Sequence, residues 1–79
     1  MNSELKNNQN IYLTITQNIK KYRKIKGMTQ AELAELVDLS HEFIRRIESK
    51  KGKKTFSVDT LYRIAQALDV DMDKLFEEN

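Results

Sequence analysis

Two helix starts stand only eleven residues apart in this chain, at Thr29 and Ser40, and a tight helical corner is what fits between them. Thr29-Gln30-Ala31-Glu32 has the form of a capping box. In that arrangement the threonine hydroxyl accepts from a free backbone amide and the glutamate reaches back to the threonine's own amide. Gly27 supplies the left-handed residue that ends the preceding helix, and Met28 stands where a hydrophobic staple would pack. The helix that follows is short, with Leu33, Leu36 and Val37 as its inward face and Ala31 and Ala34 keeping it slim. It breaks at Asp38-Leu39-Ser40, where Asp38 tolerates turn geometry, Leu39 plugs the corner and Ser40 caps the next helix.

The remaining chain also reads as helical. There is no proline and there are only two glycines, so few residues interrupt a helix. A first helix begins between Ile11 and Thr16 and runs to Lys26, with Ile15, Ile19, Tyr22 and Ile25 on one stripe. The third spans about His41 to Ser49, with Ile44 and Ile47 inward and Phe43 beside them. A lysine-rich connection, Lys50 to Ser57, has Gly52 at its tip and Phe56 as an anchor. Ser57 caps a fourth helix with Val58, Leu61, Ile64, Ala65 and Leu68 on its apolar side, and a last turn or short helix holds Leu75 and Phe76. The expected architecture is all-α, a compact bundle of five helices. Residues 1–10, polar and asparagine-rich, read as a flexible tail before a single domain of residues 11–79.

Charge narrows the partners. The net charge is only +2 over 79 residues, but its distribution is uneven. Residues 17–26 carry a net +5, residues 41–54 a net +4, and residues 59–79 a net −4. Such a molecule offers a basic side to a polyanion, although solvated helix faces would give the same tally. No cysteine is present, so disulfides and thiolate metal sites are excluded. No apolar run approaches the roughly 20 residues that span a bilayer, and the first residues lack the form of a secretory signal. A cytoplasmic setting, bacterial or phage-encoded, is the expectation.

Two helices of about eight residues joined through three suit the steep crossing of a helix-turn-helix unit, placed at about residues 29–49. The second helix of such a unit lies in the DNA major groove and needs hydrogen-bonding groups on its outer face. His41, Glu42, Arg45 and Arg46 provide them at its first, second, fifth and sixth positions. Thr29 and Gln30 open the preceding helix, and Lys51, Lys53 and Lys54 trail the reading helix, all positioned as phosphate contacts. Arg45 suits bidentate recognition of guanine and Glu42 could accept from cytosine. The two also stand three residues apart, where they could simply pair with each other.

The runs Gly27-Met28-Thr29-Gln30-Ala31-Glu32-Leu33-Ala34, Leu39-Ser40, Ile44-Arg45-Arg46-Ile47-Glu48 and Leu61-Tyr62-Arg63-Ile64-Ala65-Gln66-Ala67-Leu68-Asp69-Val70 resemble the Cro/CI-type helix-turn-helix family. That family includes lambda-like phage repressors and xenobiotic-response-element-type bacterial regulators. The likeness covers roughly Ile15 to Phe76. It implies a five-helix lambda-repressor-like domain and a sequence-specific regulator of transcription, a repressor in the first instance. It further implies two-fold dimers on palindromic double-stranded operators. By the same likeness Gln30 touches a phosphate and braces the reading helix, and Ser40 caps that helix and can also meet a phosphate. Arg23 and Glu48 form a structural ion pair between the first helix and the end of the third. Two departures stand out: Asp38 replaces the glycine frequent at the turn, and the Lys-Lys-Gly-Lys-Lys-Thr connection lacks the family's usual proline.

Other readings fare less well. One histidine, no cysteine and no glycine-rich phosphate loop leave few ingredients for catalysis. A metal role for His41 has no second histidine or cysteine to complete it. Asp71 and Asp73 read as helix-start charges. No cofactor or small-molecule ligand is implied. RNA recognition usually relies on exposed aromatic platforms, whereas this surface is Arg/Lys-rich. The competing functional class is a protein-interaction module, such as an antitoxin or adaptor, on the same fold. For a dimer surface, Leu75 and Phe76 are one candidate, with closure of the monomer core the alternative for both.

Overall fold

A computed structural model describes residues 11–49 and 55–78. The expected tail at residues 1–10 and the connection lysines Lys51, Lys53 and Lys54 lie outside the described residues. The elements are α1 (Ile11–Ile25), α2 (Gln30–Leu36), α3 (His41–Glu48), α4 (Val58–Leu68) and a single 3₁₀ helix (Met72–Phe76). Among the described residues the fold is all-helical, with four α-helices and one 3₁₀ helix where five helices were expected. The fifth element is wound as 3₁₀, a form used in short pieces.

Helix starts follow the short polar side chains. Thr29 and Glu32 form the reciprocal capping box, Thr29 Oγ1 accepting from the Glu32 amide at 3.0 Å and the Thr29 amide donating to Glu32 Oε1 at 2.8 Å. Ser40 Oγ accepts from the Phe43 amide at 3.0 Å, and Ser57 Oγ from the Thr60 amide at 3.0 Å. Such caps each hold a helix end by about 1 kcal/mol.

The ends of α1, α2 and α4 share one device. Gly27, Asp38 and Asp69 all take positive φ, at 71°, 59° and 60°. After each, an apolar residue sends its amide back to a carbonyl five positions earlier: Met28 to Arg23 at 3.1 Å, Leu39 to Ala34 at 2.9 Å, Val70 to Ala65 at 3.0 Å. Met28, Leu39 and Val70 also pack against the core. This is the Schellman ending with its hydrophobic contact, made once with glycine and twice with aspartate.

The core gathers Ile15 and Ile19 of α1, Leu33, Ala34 and Val37 around α2, and Ile44 and Ile47 of α3. Leu61, Ile64, Ala65 and Leu68 of α4 complete it with Leu75 from the 3₁₀ helix. Three residues assigned inward by period alone are instead exposed: Ile25, Leu36 and Val58. At about 100° per residue, the buried arc of α2 is centred between Leu33, Ala34 and Val37, which turns Leu36 to the flank. Ile25 and Val58 are the last residue of α1 and the first of α4, each at the rim of the core.

Candidate nucleic-acid interface

Helix α3 has one face locked into the protein and another left to solvent. Ile44 and Ile47 are buried and Phe43 is half-buried, whereas His41, Glu42, Arg45 and Arg46 are all exposed. The spacing 41, 42, 45, 46 puts those four along one side of a two-turn helix. Arg45 Nη2 meets Glu42 Oε1 at 2.5 Å, with 62% and 60% of the two side chains exposed. Arg45 holds the Glu42 carboxyl below its ordinary range, first by the hydrogen bond and then by its charge, with Arg46 and His41 adding smaller attraction.

The far end of α3 is held by a different kind of pair. Arg23 donates from Nε to Glu48 Oε2 at 2.7 Å and from Nη2 to Glu48 Oε1 at 2.9 Å. Only 10% and 1% of these side chains are exposed. The third guanidinium nitrogen, Nη1, donates to the Met28 carbonyl at 2.7 Å, and Gln30 Nε2 donates to Glu48 Oε1 at 2.9 Å. One arginine of α1 thus ties the residue before α2's cap to the last residue of α3, and Gln30 braces the same carboxylate.

The corner between α2 and α3 is held from the other side. Arg63 of α4 donates from Nη1 to the Val37 carbonyl at 3.0 Å, while Asp59, one turn earlier, pairs with the same guanidinium at 3.2 Å. Val37 closes α2 immediately before left-handed Asp38, so a cation sits where that helix presents spare carbonyls. Sequence reasoning gave Arg63 no role. Its α2 partner is a backbone carbonyl 26 residues away, and only the Asp59/Arg63 spacing hinted at a pair.

Thr29 and Ser40 keep their hydroxyl oxygens engaged as cap acceptors, which leaves the hydroxyl hydrogens as donors. Buried Asn18 was also missed: its Nδ2 donates to the carbonyls of Leu75 at 2.9 Å and Glu77 at 2.7 Å, fastening the 3₁₀ segment to α1. Leu75 is buried in the core and Phe76 is exposed, so the two candidates for a dimer surface part company. Phe76 edges an apolar groove of about 160 Å³ shared with Tyr12, Phe56, Val58 and Leu61 among others. Phe56 anchors its connection there, edge-on to Tyr12 with ring centroids 5.3 Å apart. Among the described residues, no cluster of three or more metal-ligating side chains forms, and no helix is long and apolar enough to cross a membrane.

Two short helices crossing at a capped corner, the second braced from behind and polar in front, define a helix-turn-helix DNA-binding domain. The helix-turn-helix family model matches residues 19–75, and the chain belongs to the Cro/CI-type helix-turn-helix family of DNA-binding transcriptional regulators. It is 38% identical over 69 residues to an uncharacterized HTH-type transcriptional regulator of Rickettsia prowazekii, covering 87% of this chain and 52% of that protein. It thus spans about half the length of the rickettsial relatives it matches. It is 34% identical over 61 residues to control protein C.SmaI of Serratia marcescens, covering 77% of this chain and 70% of that one. Among solved structures, the restriction-modification controller protein C.AhdI of Aeromonas hydrophila superposes with a TM-score of 0.74 at 28% identity, covering 82% of this chain and 96% of that one.

Proposed function

We propose that this chain is one helix-turn-helix domain, residues 11–79, that binds a palindromic operator as a homodimer and represses transcription in a bacterial cytoplasm, from a bacterial or phage gene. The observation carrying it is the two-sided character of α3: Ile44, Ile47 and Glu48 hold it from behind, and His41, Glu42, Arg45 and Arg46 stand exposed in front. In this reading those four meet base edges in the major groove, with Arg45 on guanine. Thr29, Gln30, Ser40, Lys51, Lys53 and Lys54 meet phosphates, and Arg23 and Glu48 keep the reading helix in register. The chain acts by binding, without catalysis, cofactor, metal or small ligand.

One reading helix covers a short half-site, so specificity calls for two of them about 34–36 Å apart. Exposed Phe76, beside Val58 and Tyr12, supports a dimer through that groove; sedimentation at micromolar concentration checks it, and a strict monomer would leave only pairing on DNA. The deciding experiment is selection of bound duplexes from a random pool, repeated with Arg45→Ala. Loss of preference at one base position with binding retained supports direct readout, and an unchanged motif defeats it. A salt titration separates the antitoxin or adaptor alternative: a DNA binder loses about one power of salt per phosphate neutralised, whereas an interaction module retains no duplex even at low salt.

A further inference from the structure

The outward face of α3 is not four independent side chains. Arg45 and Glu42 are joined, while the side chains of His41 and Arg46 carry no hydrogen bond or ion pair within the described residues. We infer that the Glu42–Arg45 pair works as a specificity filter, with Glu42 the positioning residue that withholds the Arg45 guanidinium from phosphates and releases it to a matching base pair. This rests on the DNA-binding reading above and deepens it.

Stability does not account for the pair. Both side chains are mostly in water, where a lone ion pair contributes little, and α3 is already held by the buried Arg23–Glu48 bridge and the Ser40 cap. A carboxylate on a face that meets DNA is, moreover, repelled in almost every register. Duplex DNA carries one phosphate charge per roughly 1.7 Å of axis. A glutamate gains only where a base offers an amino group in the major groove, cytosine N4 or adenine N6. Arg45 alone would take any phosphate within reach. Tied to Glu42, it gains from leaving only when the new partner replaces the lost bond, as the O6 and N7 acceptors of guanine do together. An amino group that satisfies Glu42 at the same moment completes the exchange. On non-cognate DNA neither condition holds, and the pair stays closed as a locally neutral spot between His41 and Arg46. Glu42, with an ordinary value of 4.5 that Arg45 only lowers, is ionised at neutral pH, so the filter is set across that range.

The test is a double-mutant cycle of wild type, Glu42→Gln, Arg45→Ala and the double variant. Each is measured against random duplex over a salt series and put through selection from a random pool. Both residues are exposed, so thermal melts of the four proteins are expected to superimpose. Glu42→Gln should bind random duplex about fivefold more tightly, with a salt slope steeper by about 0.9, the signature of one added phosphate contact. Its selected motif should lose preference at one base pair. In the Arg45→Ala background, Glu42→Gln should tighten random-duplex binding by clearly less than in wild type, since it relieves the repulsion of a lone carboxylate but frees no arginine for a phosphate. The inference is overturned if Glu42→Gln leaves affinity and slope at wild-type values. It is equally overturned if the tightening is the same size without Arg45, since that is bulk charge alone. Wild-type protein that retains no duplex at low salt overturns the DNA-binding reading and this inference with it; wild-type binding with an inert Glu42→Gln overturns this inference alone.

Discussion

Helix α3 carries two arginine–glutamate pairs, and they share little beyond their chemistry. Arg23–Glu48 is bidentate, buried, joins helices distant in sequence and has each remaining polar edge satisfied by Met28 and Gln30. Arg45–Glu42 is a single contact within one helix, open to water on all but one side. In low dielectric a charge left without its partner is very costly, so the first pair is part of the architecture. In water the partners separate easily, so the second is free to trade one partner for another. The difference teaches that surroundings, more than residue type, decide whether an ion pair supports a fold or takes part in recognition.

The strongest way to break this contrast is to remove half of each pair. Arg23→Ala or Glu48→Ala should lose about 3–5 kcal/mol in urea unfolding, because one buried charge stays uncompensated. Replacing both together, Arg23→Met with Glu48→Leu, should recover more than half of that loss. A single substitution that loses less than 1 kcal/mol would place this pair with the surface ones. Arg63, intermediate in exposure, offers a graded case. Arg63→Ala should lose about 1 kcal/mol through the Val37 carbonyl, and a loss as large as that of Arg23→Ala would show that burial is the wrong scale.

The smallest effect belongs to Glu42. Its carboxyl titrates below its ordinary value of 4.5 because Arg45 favours the charged form. Whatever stability the pair adds is therefore present above that value and lost as pH falls through the lowered one. Melting curves of wild type and Glu42→Gln should nearly coincide from pH 8 to 5, and any small gap should close as pH falls through the lowered value, where the protonated carboxyl is as neutral as the amide. Divergence at neutral pH would mean that Glu42 does structural work.

How much of this was legible in the sequence depended on distance along the chain. The capping box at Thr29, the stop at Gly27, the turn at Asp38 and the cap at Ser40 are local, and each has a side-chain signature within four residues. Asp69-Val70 repeats the ending of Asp38-Leu39, yet went unread because aspartate is a weak sign of left-handed backbone without a recognised corner after it. Ile25, Leu36 and Val58 match a helical period, but which arc is buried depends on neighbouring helices. The Arg23–Glu48 pairing, 25 residues apart, came from family likeness and not from spacing. Asn18 and Arg63 address backbone carbonyls, which every residue possesses, so no residue pattern marks them. The outward positions of α3 were readable because their exposure complements a regular inward stripe; the bond between two of them was one of two open readings.

The hold of Asn18 on the Leu75 and Glu77 carbonyls closes a span of 57 to 59 residues, among the longest connections in the molecule. Long closures carry the largest chain-entropy penalty, and a short 3₁₀ element without a side-chain cap is among the first to open. The 3₁₀ segment is therefore the natural sub-global opening unit of the native state, a latch whose release uncovers Leu75 while the helix-turn-helix stays folded. Its amides should exchange with solvent ahead of those in α3 and α4. Since Phe76 sits on this latch, any self-association through its groove would slow that exchange in proportion to protein concentration, linking assembly to the breathing of the 3₁₀ segment.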